Sequence, residues 1–178
     1  MRTANRCLAL AFLIAGVTLT AGCATPATSV AMTATSATAV HQIGSDVSVA
    51  VSGGKETSST GASQISDQAF AQALRDSIEK SGLFAKVSPS GARYKLTGFI
   101  GKVDQPLLGL SLTVKMEVSY TLVDTQSGTT LWTKDIASQY TAKTGEAFAA
   151  VKRLRLANEG AARENIQQAI AAMATLTL

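Results

Sequence analysis

The chain has 178 residues, 46% of them hydrophobic, with 16 basic and 12 acidic side chains and a formal net charge of +4. That length suffices for one domain with a core of its own, and so small an excess of positive charge excludes a nucleic-acid binder that works by electrostatics. A single histidine and two cysteines leave little material for metal or thiol chemistry.

The N-terminus reads as an export signal. Arg2 and Arg6 precede an apolar run from Leu8 to Val17 that is too short to span a bilayer and ends in small residues. Its last residues, Leu19-Thr20-Ala21-Gly22-Cys23, resemble the lipobox of bacterial lipoproteins, with Thr20 where leucine is usual. The resemblance implies that residues 1–22 are a signal peptide. It also implies that Cys23 becomes a lipidated N-terminus carrying several acyl chains, palmitate among them, the only non-protein group expected. Ala24, where an aspartate would retain the protein in the inner membrane, fits the outer-membrane sorting pattern. Removing the signal takes two basic residues and Cys7, which leaves a net charge of +2 and no cysteine pair for a disulfide.

Residues 23–45 are almost entirely Ala, Thr, Ser and Val, with no helical or alternating apolar pattern. Composition predicts a flexible tether, whose roughly 20 residues of coil would reach about 25 Å. The folded domain is expected over residues 46–178. Val47, Val49 and Val51 alternate with polar or small residues as a half-buried strand, which Gly53-Gly54 stops. A polar loop, Lys55 to Gln64, leads to Ser66 as N-cap and Asp67 in the first turn of a helix. Phe70, Leu74 and Ile78 give that helix one apolar stripe, and Gly82 supplies a left-handed C-cap, so it should run from Asp67 to Ser81.

Three strands are predicted next. Tyr94, Leu96, Gly98 and Ile100 share one face of the first. In the second, Leu110, Leu112, Val114, Met116, Val118, Tyr120 and Leu122 alternate without a break, so one face must be buried. Asp124-Thr125-Gln126-Ser127-Gly128 forms a hairpin turn by composition, and the third strand begins near Thr130 with Leu131, Trp132, Ile136 and Tyr140. From Phe148 to Met173 the chain reads as an alanine-rich helix, in which Gly160 marks a bend or a close contact. The order strand, helix, three strands, helix predicts an α+β fold: an antiparallel four-stranded sheet with two helices on one face.

The runs "FAQALRDSIEKSGLFAKV", "YKLTGFI", "VSYTLVDTQSGTTLW" and "RLRLANEGAARENIQQAI" resemble, in order and spacing, small envelope lipoproteins. The families concerned are the auxiliary lipoproteins of ABC transporters and the lipopolysaccharide-assembly lipoprotein. The layout is also similar to lipoproteins that activate cell-wall synthases. The resemblance implies a non-catalytic module that binds envelope proteins or lipid.

The residues agree that no catalytic or metal site is expected. His41 stands alone in the tether segment, with no partners for a triad or a zinc site. The glycines form no phosphate loop, and Asp124 and Asp135 read as turn and surface residues. Two clusters stand out as candidate contacts. Lys152, Arg153, Arg155 and Arg163 concentrate positive charge on the last helix, where they suit an acidic partner, lipid phosphates or a solvated face. Glu159 and Arg163 are spaced for an ion pair. Leu107 and Leu108 place apolar side chains in the loop before the longest strand, where they suit a partner, lipid or the core's edge. The expected function is a lipid-anchored periplasmic binding module in outer-envelope transport or assembly, with a bilayer and an envelope protein complex or lipid as partners and no nucleic acid. The alternative is a structural outer-membrane lipoprotein that oligomerises through a sheet edge.

Overall fold

A computed structural model describes residues 24–36, 39, 41–59, 61–106 and 108–178. The elements are α1 (Ser29–Met32), β1 (Gly44–Ser52), α2 (Asp67–Ser81), β2 (Phe84–Val87), β3 (Tyr94–Asp104), β4 (Leu112–Asp124), β5 (Thr130–Ala142) and α3 (Ala150–Met173). The strands form one sheet in the order β2-β1-β3-β4-β5.

This corrects the expected antiparallel four-stranded sheet with two helices. The sheet is mixed and has five strands, because β1 runs parallel to both β2 and β3. The parallel β1–β2 pair follows from α2, which carries the chain back across the sheet before β2 begins. β2 has four residues and one buried side chain, Phe84, too little to leave an alternating pattern. A third helix, the single turn α1, lies in the segment that composition assigns to a tether.

The antiparallel half follows the sequence closely. Along β4 every even-numbered residue from Leu112 to Asp124 is buried, and no odd-numbered one is. Leu110, grouped with that strand by alternation, lies outside it and is exposed. Two bulges adjust the phase. Gly101 is the extra residue between Ile100↔Val118 and Lys102↔Glu117, which keeps Val103 on the Met116 side and turns Lys102 outward. Leu131 is the extra residue between Leu122↔Trp132 and Val123↔Thr130.

α2 forms as its sequence dictates: Ser66 accepts from the Ala69 amide, and Gly82 takes φ +69° at the C-cap. Both long helices cover one face of the sheet. Val47, Leu96, Val114, Val118 and Leu122 rise from the sheet to meet Phe70, Leu74 and Ile78 of α2 and Ala157, Ala161, Ile166 and Ala169 of α3 in one core.

A buried polar network fixes α3 on the sheet. The Tyr120 hydroxyl donates to Asn165 Oδ1 at 2.8 Å, and Asn165 Nδ2 donates to the Ile136 carbonyl at 2.8 Å and to Ser138 Oγ at 3.2 Å. Ser138 in turn donates to the Ala161 carbonyl at 2.8 Å. Burial without any compensating charge raises the Tyr120 pKa, so the phenol stays protonated as a donor. Nearby, Gly160 lets α3 approach the Tyr140 ring so closely that an added Cβ would lie 2.2 Å from Tyr140 Cγ.

Gly160→Ala should therefore destabilise the domain, although alanine outranks glycine in a helix by about 1 kcal/mol. A chemical-denaturation midpoint that rises in this variant would overturn the close-contact reading. Val118→Asp should cost several kcal/mol by placing an unpaired charge in the core. Ser119→Asp, on the opposite face, should melt within a few degrees of wild type; equal losses at the two positions would contradict the observed register.

Candidate functional site

Residues 24–36 are part of the fold rather than a loose tether. Ala27, Met32 and Ala34 are buried, as is Ile43 farther along, and α1 packs on both α2 and α3. The segment is held at four successive turns of α3 by one stripe of side chains. Arg155 Nη1 donates to Thr25 Oγ1 at 3.0 Å. The Glu159 carboxylate accepts from both the amide and the hydroxyl of Thr28, each at 3.0 Å. Arg163 Nη1 donates to the Ala31 carbonyl at 2.7 Å, and Ser36 reaches Gln167 at 3.4 Å. Positions 155, 159, 163 and 167 are four apart, so one helix face grips the segment, α1 included, that runs alongside it. On the other side the Ala34 amide donates to Ser77 of α2 at 2.9 Å, and the Ala27 amide to the Gln64 carbonyl at 3.1 Å. This segment is called the strap below. Its neutral Ala and Thr residues leave main-chain groups free for charged partners elsewhere, which composition alone does not reveal.

The strap reassigns the basic cluster. Arg155 and Arg163 hold it, and Arg163 also lies 5.8 Å over the Tyr140 ring. Glu159 pairs with Arg155, with 3.7 Å between Nε and Oε1, rather than with Arg163 as the spacing suggested. Arg153 is only 5% exposed. Its guanidinium donates to the Ala147 carbonyl at 2.8 Å, to the Phe148 carbonyl at 2.5 Å and to the Gly109 carbonyl at 3.4 Å. It binds the loop before β4 to the start of α3, where no side chain caps the helix. Of the four cations, Lys152 alone is exposed.

Around that Arg153 fork lies a group of uncovered apolar side chains. Leu108 is 91% exposed, Leu110 79% and Phe148 97%, with Val151 also exposed. Leu108, Val151, Pro106 and Leu154 line one recess. Leu107 lies outside the described residues, as does Cys23. Phe148 and Leu110 are legible as apolar but not as exposed: Leu110 continues the alternation that is buried from Leu112, and Phe148 precedes a helix whose burial begins only at Arg153.

The remaining candidates are structural. Asp124 accepts from Arg93 Nη2 at 2.7 Å and from the amides of Gln126 and Ser127, and these bonds, Arg93 first, lower its pKa below the ordinary aspartate value. Asp135 is exposed and pairs across the strands with Ser119, five residues from Asp124 along β4 and on the other face, so the two carboxylates cannot act together. The His41 ring is exposed and lies 3.4 Å from the Leu176 carbonyl. The uncovered sheet face holds a groove of about 380 Å³ whose rim alternates Lys102, Asp104, Lys115 and Glu117. Lys102 and Asp104 pair at 2.9 Å, leaving no single sign of charge to select a ligand. Among the described residues no group of histidines, cysteines and carboxylates could hold a metal, and no helix is long and apolar enough to cross a membrane.

No family model and no curated protein matches the chain. Solved structures do. A Xanthomonas campestris protein of the DUF330 family superposes with a TM-score of 0.56 at 12% identity, over 75% of this chain and 85% of that one. A candidate lipoprotein from Caulobacter crescentus gives 0.53 at 16% identity, over 72% and 88%. The PelC dodecamer from Paraburkholderia phytofirmans gives 0.51 at 15% identity, over 82% and 96%. At these identities the likeness is one of fold alone.

If Glu159 secures the strap, Glu159→Ala should leave the Thr28 amide without its acceptor and cost about 1–3 kcal/mol. Hydrogen exchange followed by mass spectrometry should then show faster exchange over residues 27–34 than in wild type. Unchanged protection there would mean that apolar packing alone retains the segment.

Proposed function

We propose that the chain is a lipid-anchored, non-catalytic envelope protein, held at the outer membrane through Cys23 and serving as a binding module in transport or assembly. The observation that carries this reading is the strap: the residues directly after the lipobox cysteine belong to the fold, so the domain is built up to the attachment point. The candidate lipoprotein of the same fold supports it, as does the sequence resemblance to transporter auxiliary and lipopolysaccharide-assembly lipoproteins. The polar residues that the structure gathers serve packing and strap retention, which suits a scaffold better than a catalyst.

A second reading, a structural oligomer, draws on a different observation. β5 is an edge strand of 13 residues that offers its outer backbone groups for pairing, and one protein of this fold forms a dodecamer. Affinity purification from gently solubilised membranes separates the two: co-purified envelope proteins or lipid support the binding module, and self-association alone supports the oligomer.

Cys23→Ala in the full chain should abolish labelling by a fatty-acid probe. It should also release the protein from membranes after a high-salt wash, which removes purely electrostatic association. A variant that is processed normally and stays on washed membranes would refute the anchor.

A further inference from the structure

The uncovered apolar group beside Arg153 lies at the end of α3 toward which the strap runs as its residue numbers fall. Thr25 is bonded to Arg155, and Val151 lies one helical turn, about 6 Å, before Arg155 on α3. Only Ala24 separates Thr25 from Cys23, and two residues of extended chain span about 7 Å. The strap pairs lower residue numbers with earlier turns of α3, so it heads toward Val151 as it approaches the cysteine. The chain thus arrives at the end of the domain that presents Leu108, Leu110, Phe148 and Val151.

That end is built as one unit from three loops. Arg153 binds the Gly109 and Phe148 carbonyls with a single guanidinium, and Thr144 donates to the Leu110 carbonyl at 2.8 Å. Asn158 and Gln105 both donate to the Ser63 carbonyl at 2.8 Å, which brings the loop before α2 to the same place. A buried arginine therefore holds exposed leucines and a phenylalanine outward from two loops. Between the two exposed leucines Gly109 has φ +152°, a conformation that L side chains rarely adopt. Exposed large apolar side chains so grouped mark a contact surface.

We infer that this patch is a second membrane contact: Leu108, Leu110 and Phe148 enter the bilayer that holds the acyl chains of Cys23, while Lys152 meets the lipid phosphates. The inference rests on the lipid anchor proposed above and adds an orientation to it. The end of the domain carrying the start of α3 and of β4 faces the lipid, and the Asp124–Gly128 hairpin, at the other end of a 13-residue strand, points away. A bilayer is favoured as occupant because the chain itself delivers lipid to this end and because the exposed cation beside the patch suits an anionic surface.

The mature chain offers a clean test, since Cys7 leaves with the signal and Cys23 is acylated, so no other thiol competes for a label. Leu108→Cys, Phe148→Cys and, as a control, Gln126→Cys would each be made in the full lipidated protein and tagged with an environment-sensitive fluorophore. Each would be reconstituted into phosphatidylethanolamine–phosphatidylglycerol vesicles containing acyl-chain nitroxide lipid. Labels at 108 and 148 should shift to the blue and be quenched severalfold more strongly than the label at 126. Equal, weak quenching at all three positions, with mass spectrometry showing intact acyl chains, would overturn the membrane contact and leave the anchor standing. A protein without acyl chains would overturn both. Shielding of the 108 and 148 labels that depends on protein concentration in detergent, without quenching in vesicles, would reassign the patch to a contact between copies and overturn the proposal.

Discussion

The docking of α3 through Asn165 sets the rotation of the helix on which the rest of the molecule depends. One amide receives the Tyr120 hydroxyl and donates to Ile136 and Ser138, and a hydrogen-bonded side chain buried among alanines tolerates little rotation. Gly160 fixes the separation at the same time, by admitting the Tyr140 ring against the helix backbone. With rotation and distance settled, positions 155, 159, 163 and 167 all turn toward the strap, and they seat it. The buried Arg153, on the same helix, then fixes the loops around it.

Charged residues here organise main chain more than they meet solvent. Glu159 is buried and is tolerated because two donors from Thr28 and the nearby Arg155 compensate it. Arg153 satisfies carbonyls that precede α3, and Arg163 takes the Ala31 carbonyl. A small net charge therefore hides several specific, short-range contacts.

Legibility followed the length and regularity of each pattern. β4 could be read residue by residue because its alternation runs unbroken over its whole length, and α2 because a cap, an apolar stripe and a glycine stop coincide. The parallel pairing of β1 was not visible, since Val47, Val49 and Val51 alternate identically in either direction. β2 escaped notice because a four-residue strand resting on Phe84 has no period to detect. The strap escaped for a different reason: its small residues bury little area each, and its retention depends on Glu159 and Arg163 far along the chain. Met32 and Ile43 were the available clues, as large apolar residues in an otherwise small and polar stretch. The basic cluster was visible as charge, but charge says nothing of whether a guanidinium faces water or a carbonyl. Phe148, finally, could be seen as apolar, while its exposure required the positions of two loops.

The contacts that seat the strap span about 130 positions of sequence, from Thr28 to Glu159 and from Ala31 to Arg163. A chain made from its N-terminus presents residues 24–36 long before the helix that receives them exists. Their bonds to α3 must wait until that last element has condensed on the sheet, and such distant closures come late because their entropy cost is met before any contact repays it. Throughout that interval the Thr28 amide and the Ala31 carbonyl lack the partners that α3 will bring, and completion of the C-terminal helix supplies them. The order of synthesis thereby gives the molecule a built-in sequence: sheet and helices first, strap last.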